Sequence, residues 1–214
     1  MSDVAREIAA QAVIPVVRAR DVRDAVDTAR AMRRGGMRVV ELTHSTPEVE
    51  AALHALRDDD LLLGLGTIAR AEQVRTAVAA GARFVVSYAN PPGFVAAAQA
   101  CGVPACPAGF TPQEIAGAAG MGAELVKLFP ARLAGPRYVR DLHAVLPGVR
   151  LMASGGIGTT AERLVPWLDA GVAAVGVGSE LGTVAEIGSN EVERRVRAVL
   201  ATRRLAEREY AAAR

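Results

Sequence analysis

Two patterns of apolar residues alternate along this chain. Short β-branched or aliphatic runs centre near Val16, Val40, Leu63, Val85, Ala105, Val126, Leu151 and Val175, at steps of 20 to 25 residues. Each gap between runs holds one amphipathic stretch with helical spacing. Asp21 to Arg34 is such a stretch and closes on Gly35-Gly36, a helix stop. Similar stops recur at Ala80-Gly81, Cys101-Gly102, Met121-Gly122 and Ala170-Gly171. Strand then helix, eight times over, with strands that are almost continuously apolar, predicts a parallel α/β sheet covered by helices. Eight units at this spacing fit a closed (β/α)8 TIM barrel at the small end of its size range. An open doubly wound sheet is the alternative, but no Gly-x-Gly-x-x-Gly follows the first strand. An extra N-terminal helix, Val4 to Gln11, precedes the barrel. A C-terminal helix, Asn190 to Arg214, follows it, with Asn190 as cap and Glu193 three residues on, as a capping box requires. Its residues Glu191, Arg194, Arg195, Arg203, Arg204, Glu207 and Arg208 read as a solvated face. Linkers and low-complexity stretches are absent from the pattern, so residues 1–214 are read as one barrel domain.

Composition narrows the class. With 214 residues, 51% of them hydrophobic, the chain can bury one sizeable core. A net charge of +2, spread along the length and without aromatics among the basic residues, argues against a nucleic-acid partner. Runs of membrane-spanning length and a signal-like N-terminus are both missing from the sequence, and two cysteines suit a reducing compartment. A cytoplasmic protein without membrane partners is the expectation.

One residue changes the picture. Lys127 is the only lysine, so the other 24 of the 25 basic residues are arginine. It interrupts the apolar run Leu125-Val126-Lys127-Leu128-Phe129, where lysine is least expected. Burial disfavours the charged form of an amine and lowers its pKa, which turns lysine into a nucleophile. Arginine cannot replace it in a Schiff base. The alternative is a lysine that merely reaches from a strand end to water.

Functional groups of a barrel sit where strands end and the following loops begin. Those ends read Arg18, Glu41 with Thr43, Gly66-Thr67, Ser87, Pro107, Lys127 with Phe129, Ser154-Gly155-Gly156, and Gly176-Val177-Gly178-Ser179. Strand alternation puts Leu125, Lys127 and Phe129 on one face. Facing inward, Lys127 would meet Glu41, which shares a side of its strand with Val39 and Thr43. A carboxylate there can move protons; a structural ion pair with an arginine is the competing role. The glycines after strands seven and eight let backbone N–H groups approach an anion, and barrels often hold phosphate there. The three histidines form no ligand set: His54 and His143 fall on helices, and His44 is a candidate for lining the pocket. Cys106 reads as a small core residue. Metal-ligand spacing is absent from the sequence, and a Schiff-base amine needs neither metal nor cofactor.

From about Val13 to Leu181 the chain resembles the bacterial 2-keto-3-deoxy-6-phosphogluconate (KDPG) aldolases, which also handle 4-hydroxy-2-oxoglutarate (KHG). The likeness rests on Val40-Glu41-Leu42-Thr43, Gly64-Leu65-Gly66-Thr67, Phe110-Thr111-Pro112-Gln113-Glu114, Val126-Lys127-Leu128-Phe129-Pro130-Ala131, Ser154-Gly155-Gly156-Ile157 and Gly176-Val177-Gly178-Ser179. The resemblance implies a Schiff base between Lys127 and the keto acid, with Glu41 as general acid/base acting partly through water. It implies that Thr67 helps hold the substrate carboxylate and that Phe129 packs on the pyruvyl methyl. Gly155, Gly156, Gly178 and Ser179 match the family's phosphate-binding positions, with Ser154 beside them. A small keto-acid substrate and a homotrimer are also implied.

Four positions depart from the family pattern. Ser45 stands where many members carry an arginine, and others use an arginine ending strand one, as Arg18 would here. Ser87-Tyr88 replaces Ser-Pro, Pro107-Ala108 replaces Pro-Gly, and Ser154 replaces threonine while keeping a hydroxyl. That hydroxyl favours the gluconate over the galactonate epimer. Cleavage of an unphosphorylated 4-hydroxy-2-keto acid is the second reading. A non-catalytic barrel that binds a phosphate ligand is the third.

Overall fold

The computed structural model describes residues 1–212, with side chains through residue 203. Its first half runs α1 (Asp3–Gln11), β1 (Val13–Val17), α2 (Val22–Gly35), β2 (Val39–Thr43), α3 (Val49–Leu56), β3 (Leu62–Ile68), α4 (Glu72–Ala80), β4 (Phe84–Ser87), α5 (Phe94–Ala100) and β5 (Ala105–Cys106). The second half runs β6 (Ala108–Gly109), α6 (Pro112–Gly120), β7 (Val126–Leu128), α7 (Ala131–Val145), β8 (Leu151–Ser154), α8 (Ala161–Asp169), β9 (Ala174–Val177), α9 (Val184–Ile187) and α10 (Ser189–Ala212). The strands pair in parallel in the order β5-β4-β3-β2-β1-β9-β8-β7-β6, an α/β barrel of the TIM type.

Nine strands stand where eight are expected, because the fifth is cut in two at Pro107. Proline has no N–H for the ladder. Hence β5 pairs only with β4 and β6 only with β7, while the Pro107 carbonyl still accepts from Lys127 N at 2.8 Å. The barrel closes through that break.

Alternation sorts the strand residues into two apolar clusters. Val17, Val40, Leu42, Val126, Leu128, Ala153 and Val175 face the helices. Ile14, Val39, Phe84, Val86, Cys106, Leu125, Met152 and Ala174 fill the barrel interior. Helix α1 closes the bottom of that interior with Ala5 and Ile8, both buried. Gln11, at its end, seals the seam: its amide donates to the carbonyls of Val13 and Val39, and its oxygen accepts from the N–H groups of Arg38 and Val39, all within 2.9 Å. One step up each strand, the same inward face carries Val16, Glu41, Lys127, Ser154 and Gly176. Local chain direction therefore delivers the polar residues to the upper end.

Two helices differ from expectation. Helix α10 starts at Ser189, not after an Asn190 cap, because α9 ends at Gly188 (φ +78°) only one residue earlier. Glu193 is drawn away to Arg34 (2.7 Å), Arg197 (3.1 Å) and the Ser189 hydroxyl (3.2 Å). Glu191 likewise binds Arg194 and Arg195, and Arg203 donates to the Ala10 carbonyl, so this face is tied together rather than simply solvated. The side chains of Arg204, Glu207 and Arg208, and the helix end expected at Arg214, lie outside the described residues. Helix α7 is broken at Gly135 (φ +78°), because Pro136 pushes its predecessor out of helical geometry. Among the described residues, no helix is long and apolar enough to cross a membrane.

Candidate active site

Glu41 is the centre of the upper layer. It is 0% exposed, and neither carboxylate oxygen has a hydrogen-bond partner. Its space exists because Gly66 on the neighbouring strand lacks a side chain: a Cβ there would sit 1.8 Å from Oε1. Burial pushes the Glu41 carboxyl above its usual range, against the opposing pull of the positive charges of Lys127 and Arg18. Among the described residues, no arginine comes within ion-pair distance of Glu41, although the charge of Arg18 is felt there. An unpartnered buried acid costs stability, and such a group calls for a use.

Lys127 enters the same interior from β7 and is 6% exposed. Its ammonium lies 5.2 Å from the centre of the Phe129 ring, within cation–π range. Cys106 sits close enough to both charges to feel them. Burial, the largest cause, pushes its thiol up to about 12, with Glu41 raising it further and Lys127 opposing. Cys106 is thus an inert wall of the pocket, as a small core residue should be.

Thr67 follows Gly66 with φ +64°, a left-handed conformation that a β-branched residue rarely takes. The β3–β4 register shifts between Leu65 and Ile68, so the extra residue of a bulge accounts for the turn.

The ends of β8, β9 and β1 build an adjoining cavity of about 300 Å³, lined by Arg18, Phe129, Arg132, Ser154, Gly155, Gly156, Gly178 and Ser179 among others. Each glycine here makes room for a neighbour. A Cβ on Gly155 (φ +100°) would meet the Phe129 ring at 3.1 Å, and one on Gly178 would lie 3.3 Å from Arg18 Nη1. Phe129 lines this cavity and its ring also lies beside the Lys127 amine, so one side chain borders both.

Other strand-end residues serve the frame. The Thr43 hydroxyl donates to the Val17 carbonyl at 3.0 Å and shares a 2.8 Å contact with the Ser45 hydroxyl. Buried Ser87 donates to Ile68 O at 2.6 Å. His44 stands 3.7 Å from Glu50 and is not among the residues lining the cavity. Arg132, which lines it, was not singled out from the sequence. Its only signal there is a cation three residues past Phe129.

A match to the family described as aldolase, KDPG and KHG aldolase, spans residues 4–199. This chain belongs to that family. It is an aldolase, an enzyme of the lyase class, so the reading as a non-catalytic barrel is set aside. The 2-dehydro-3-deoxy-phosphogluconate aldolase of Treponema pallidum (strain Nichols) is 42% identical over 148 residues, covering 68% of this chain and 70% of the relative. The 2-dehydro-3-deoxy-6-phosphogalactonate aldolase of Escherichia coli (strain K12) is 35% identical over 150 residues, covering 68% and 72%. The solved structure of the KDPG aldolase of Legionella pneumophila, with pyruvate captured at low pH as a covalent carbinolamine, superposes with a TM-score of 0.85 at 30% identity, over 92% of this chain and 98% of that one.

Proposed function

We propose that this aldolase cleaves 2-keto-3-deoxy-6-phosphogluconate to pyruvate and glyceraldehyde 3-phosphate through a Schiff base on Lys127. The Lys127 amine attacks the C2 carbonyl and water leaves, giving an iminium that serves as electron sink. Glu41 takes the C4 hydroxyl proton, the C3–C4 bond breaks, and the aldehyde departs, leaving an enamine. Glu41 then returns a proton to C3, and water hydrolyses the imine to free pyruvate and the amine. Thr67 helps hold the keto-acid carboxylate, and Phe129 packs against the pyruvyl methyl. Arg18, Ser154, Gly155, Gly156, Gly178 and Ser179 hold the phosphate.

The observation that carries this reading is the buried, unpartnered Glu41 beside the sole lysine. A carboxyl whose pKa is raised by burial lies closer to the working pH, where general acid/base transfer is most efficient. The covalent pyruvate adduct of the Legionella relative supports amine chemistry in a chamber of this fold. Ser154 retains a hydroxyl at the phosphate end and supports the gluconate epimer. Ser45, hydrogen-bonded to Thr43, leaves Arg18 as the cation that reaches toward both chambers. Cytoplasmic placement and a homotrimer belong to the same proposal and rest on composition and the family likeness; sedimentation of the full chain checks the trimer.

The test is kcat/KM for KDPG, its galactonate epimer and KHG, in wild type and Arg18→Ala. KDPG should be the best substrate. Arg18→Ala should lower its kcat/KM roughly 10- to 150-fold, the worth of one charge-assisted hydrogen bond, with a smaller loss on KHG. Faster turnover of KHG than of KDPG would make the unphosphorylated acid the natural substrate. Equal losses on both would move Arg18 to the keto-acid end.

A further inference from the structure

Surface arginines such as Arg30, Arg34, Arg194, Arg195 and Arg197 each meet a carboxylate. Among the described residues, Arg132 forms no ion pair and its guanidinium no hydrogen bond, yet its position is fixed from two sides. Among the same residues, Arg70, Arg75, Arg83, Arg137, Arg140 and Arg163 form no ion pair either, and Arg132 is set apart from them by lining the cavity at the ends of β8, β9 and β1. Its backbone N–H donates to Gly155 O at 3.0 Å, which ties the start of α7 to the β8 loop. Its stem crosses Gly156 so closely that a Cβ there would lie 2.8 Å from Arg132 Cδ. Gly156 takes φ +75° and can hold that place only as glycine.

Arg132 also lines the cavity that Ser154, Gly155, Gly178, Ser179 and Arg18 help enclose. The single carboxylate among the lining residues is Glu180, and no ion pair joins it to either arginine. Two arginines that form no ion pair among the described residues thus border a glycine cradle, Arg18 just past β1 and Arg132 at the start of α7. A cation held for an anionic ligand must leave its donors free, and the forked guanidinium suits the several oxygens of a phosphate.

We propose that Arg132 is a second phosphate-binding cation, closing on the distal anion of the substrate from across the cradle, and that it sets this enzyme's preference for phosphorylated over unphosphorylated keto acids. The inference deepens the reading above and rests on it for the identity of the substrate. The binding of phosphate itself can be measured without any aldol chemistry.

Inorganic phosphate is the probe, titrated calorimetrically into wild type, Arg132→Ala and Arg132→Lys, with borohydride trapping of pyruvate run in parallel on each. Arg132→Ala should bind phosphate roughly 10- to 150-fold more weakly. Arg132→Lys should recover most of that loss, since a lysine there restores the charge. Pyruvate, which has no phosphate, should be trapped with far less change. Unaltered phosphate affinity in Arg132→Ala overturns the proposal. So does a parallel loss of phosphate binding and pyruvate trapping, which would make Arg132 a structural strut. If phosphate binding follows Arg132 while wild type traps no pyruvate, the cation assignment stands and the Schiff-base reading falls.

Discussion

The two ends of the barrel interior are made by the same strands and are finished in opposite ways. At the lower end one Gln11 amide satisfies four backbone groups, and Ile8 fills the hole that the strands leave. At the upper end the chain leaves an acid without hydrogen bonds, a threonine in a left-handed conformation, and two arginines that form no ion pair among the described residues. The buried acid and the left-handed threonine cost stability, and all of these features cluster in one place. The contrast teaches which residues serve folding and which are kept despite it.

Glu41→Gln should separate the two kinds of residue most sharply. Catalysis should fall roughly 10²- to 10⁴-fold, the worth of a positioned proton-transfer group, while the folded state gains. The sign follows from the raised pKa. Below the ordinary glutamate range the carboxyl is protonated folded or unfolded, and burial of a neutral acid costs little. As pH climbs through the window up to the raised folded value, the native state keeps a proton that the unfolded chain has released, so wild-type stability drops. The stability advantage of Glu41→Gln over wild type should therefore grow from acid toward neutral pH. Melting curves across that range check it, and a constant or shrinking gap would remove the buried acid from this role.

The lower end should respond in reverse. Ile8→Ala should cost about 2–5 kcal/mol by opening a cavity under the barrel, with kcat of the folded fraction little changed. Gln11→Ala should cost less, about 1–3 kcal/mol, because water can reach part of that seam. Denaturant midpoints alongside kcat measure both. A large fall in kcat at constant fold would mean that the two ends are coupled. The smallest effect is expected from thiol labelling: Cys101 should react with iodoacetamide and Cys106, buried and pushed up to about 12, should not.

Much of this was legible in the sequence, for identifiable reasons. Period-two alternation on apolar strands puts Val39 and Glu41 on one face, and Leu125 and Lys127 on another, so the meeting of Glu41 with Lys127 follows once the sheet closes. The glycine pairs at the ends of β8 and β9 could be read because the strand count locates them. What escaped depends on contacts between distant segments. The cut in the fifth strand needs to be seen as a missing N–H in a closed ladder, not as an ordinary Val-Pro-Ala-Cys-Pro run. Glu193 looks like a capping residue until Arg34, from α2, arrives beside it. Gly66 reads only as part of a strand end, and only the neighbouring strand shows that Glu41 fills its missing side chain. Arg132 is one of 24 arginines, and nothing local marks it as one that lines the cavity at the ends of β8 and β9.

The amine is the point on which the chemistry turns, and it can be asked directly. Incubation with pyruvate and borohydride, followed by intact mass and peptide mapping, should add one pyruvyl unit to wild type, at Lys127. The α-amine is the one competing site, because the chain has no other lysine. Lys127→Arg keeps a cation of similar reach without the nucleophile, and should show no adduct at residue 127 and no aldol cleavage while retaining its fold. A Lys127→Arg protein that still cleaves KDPG, or a wild type that takes up pyruvate only at Met1, would contradict the Schiff-base mechanism.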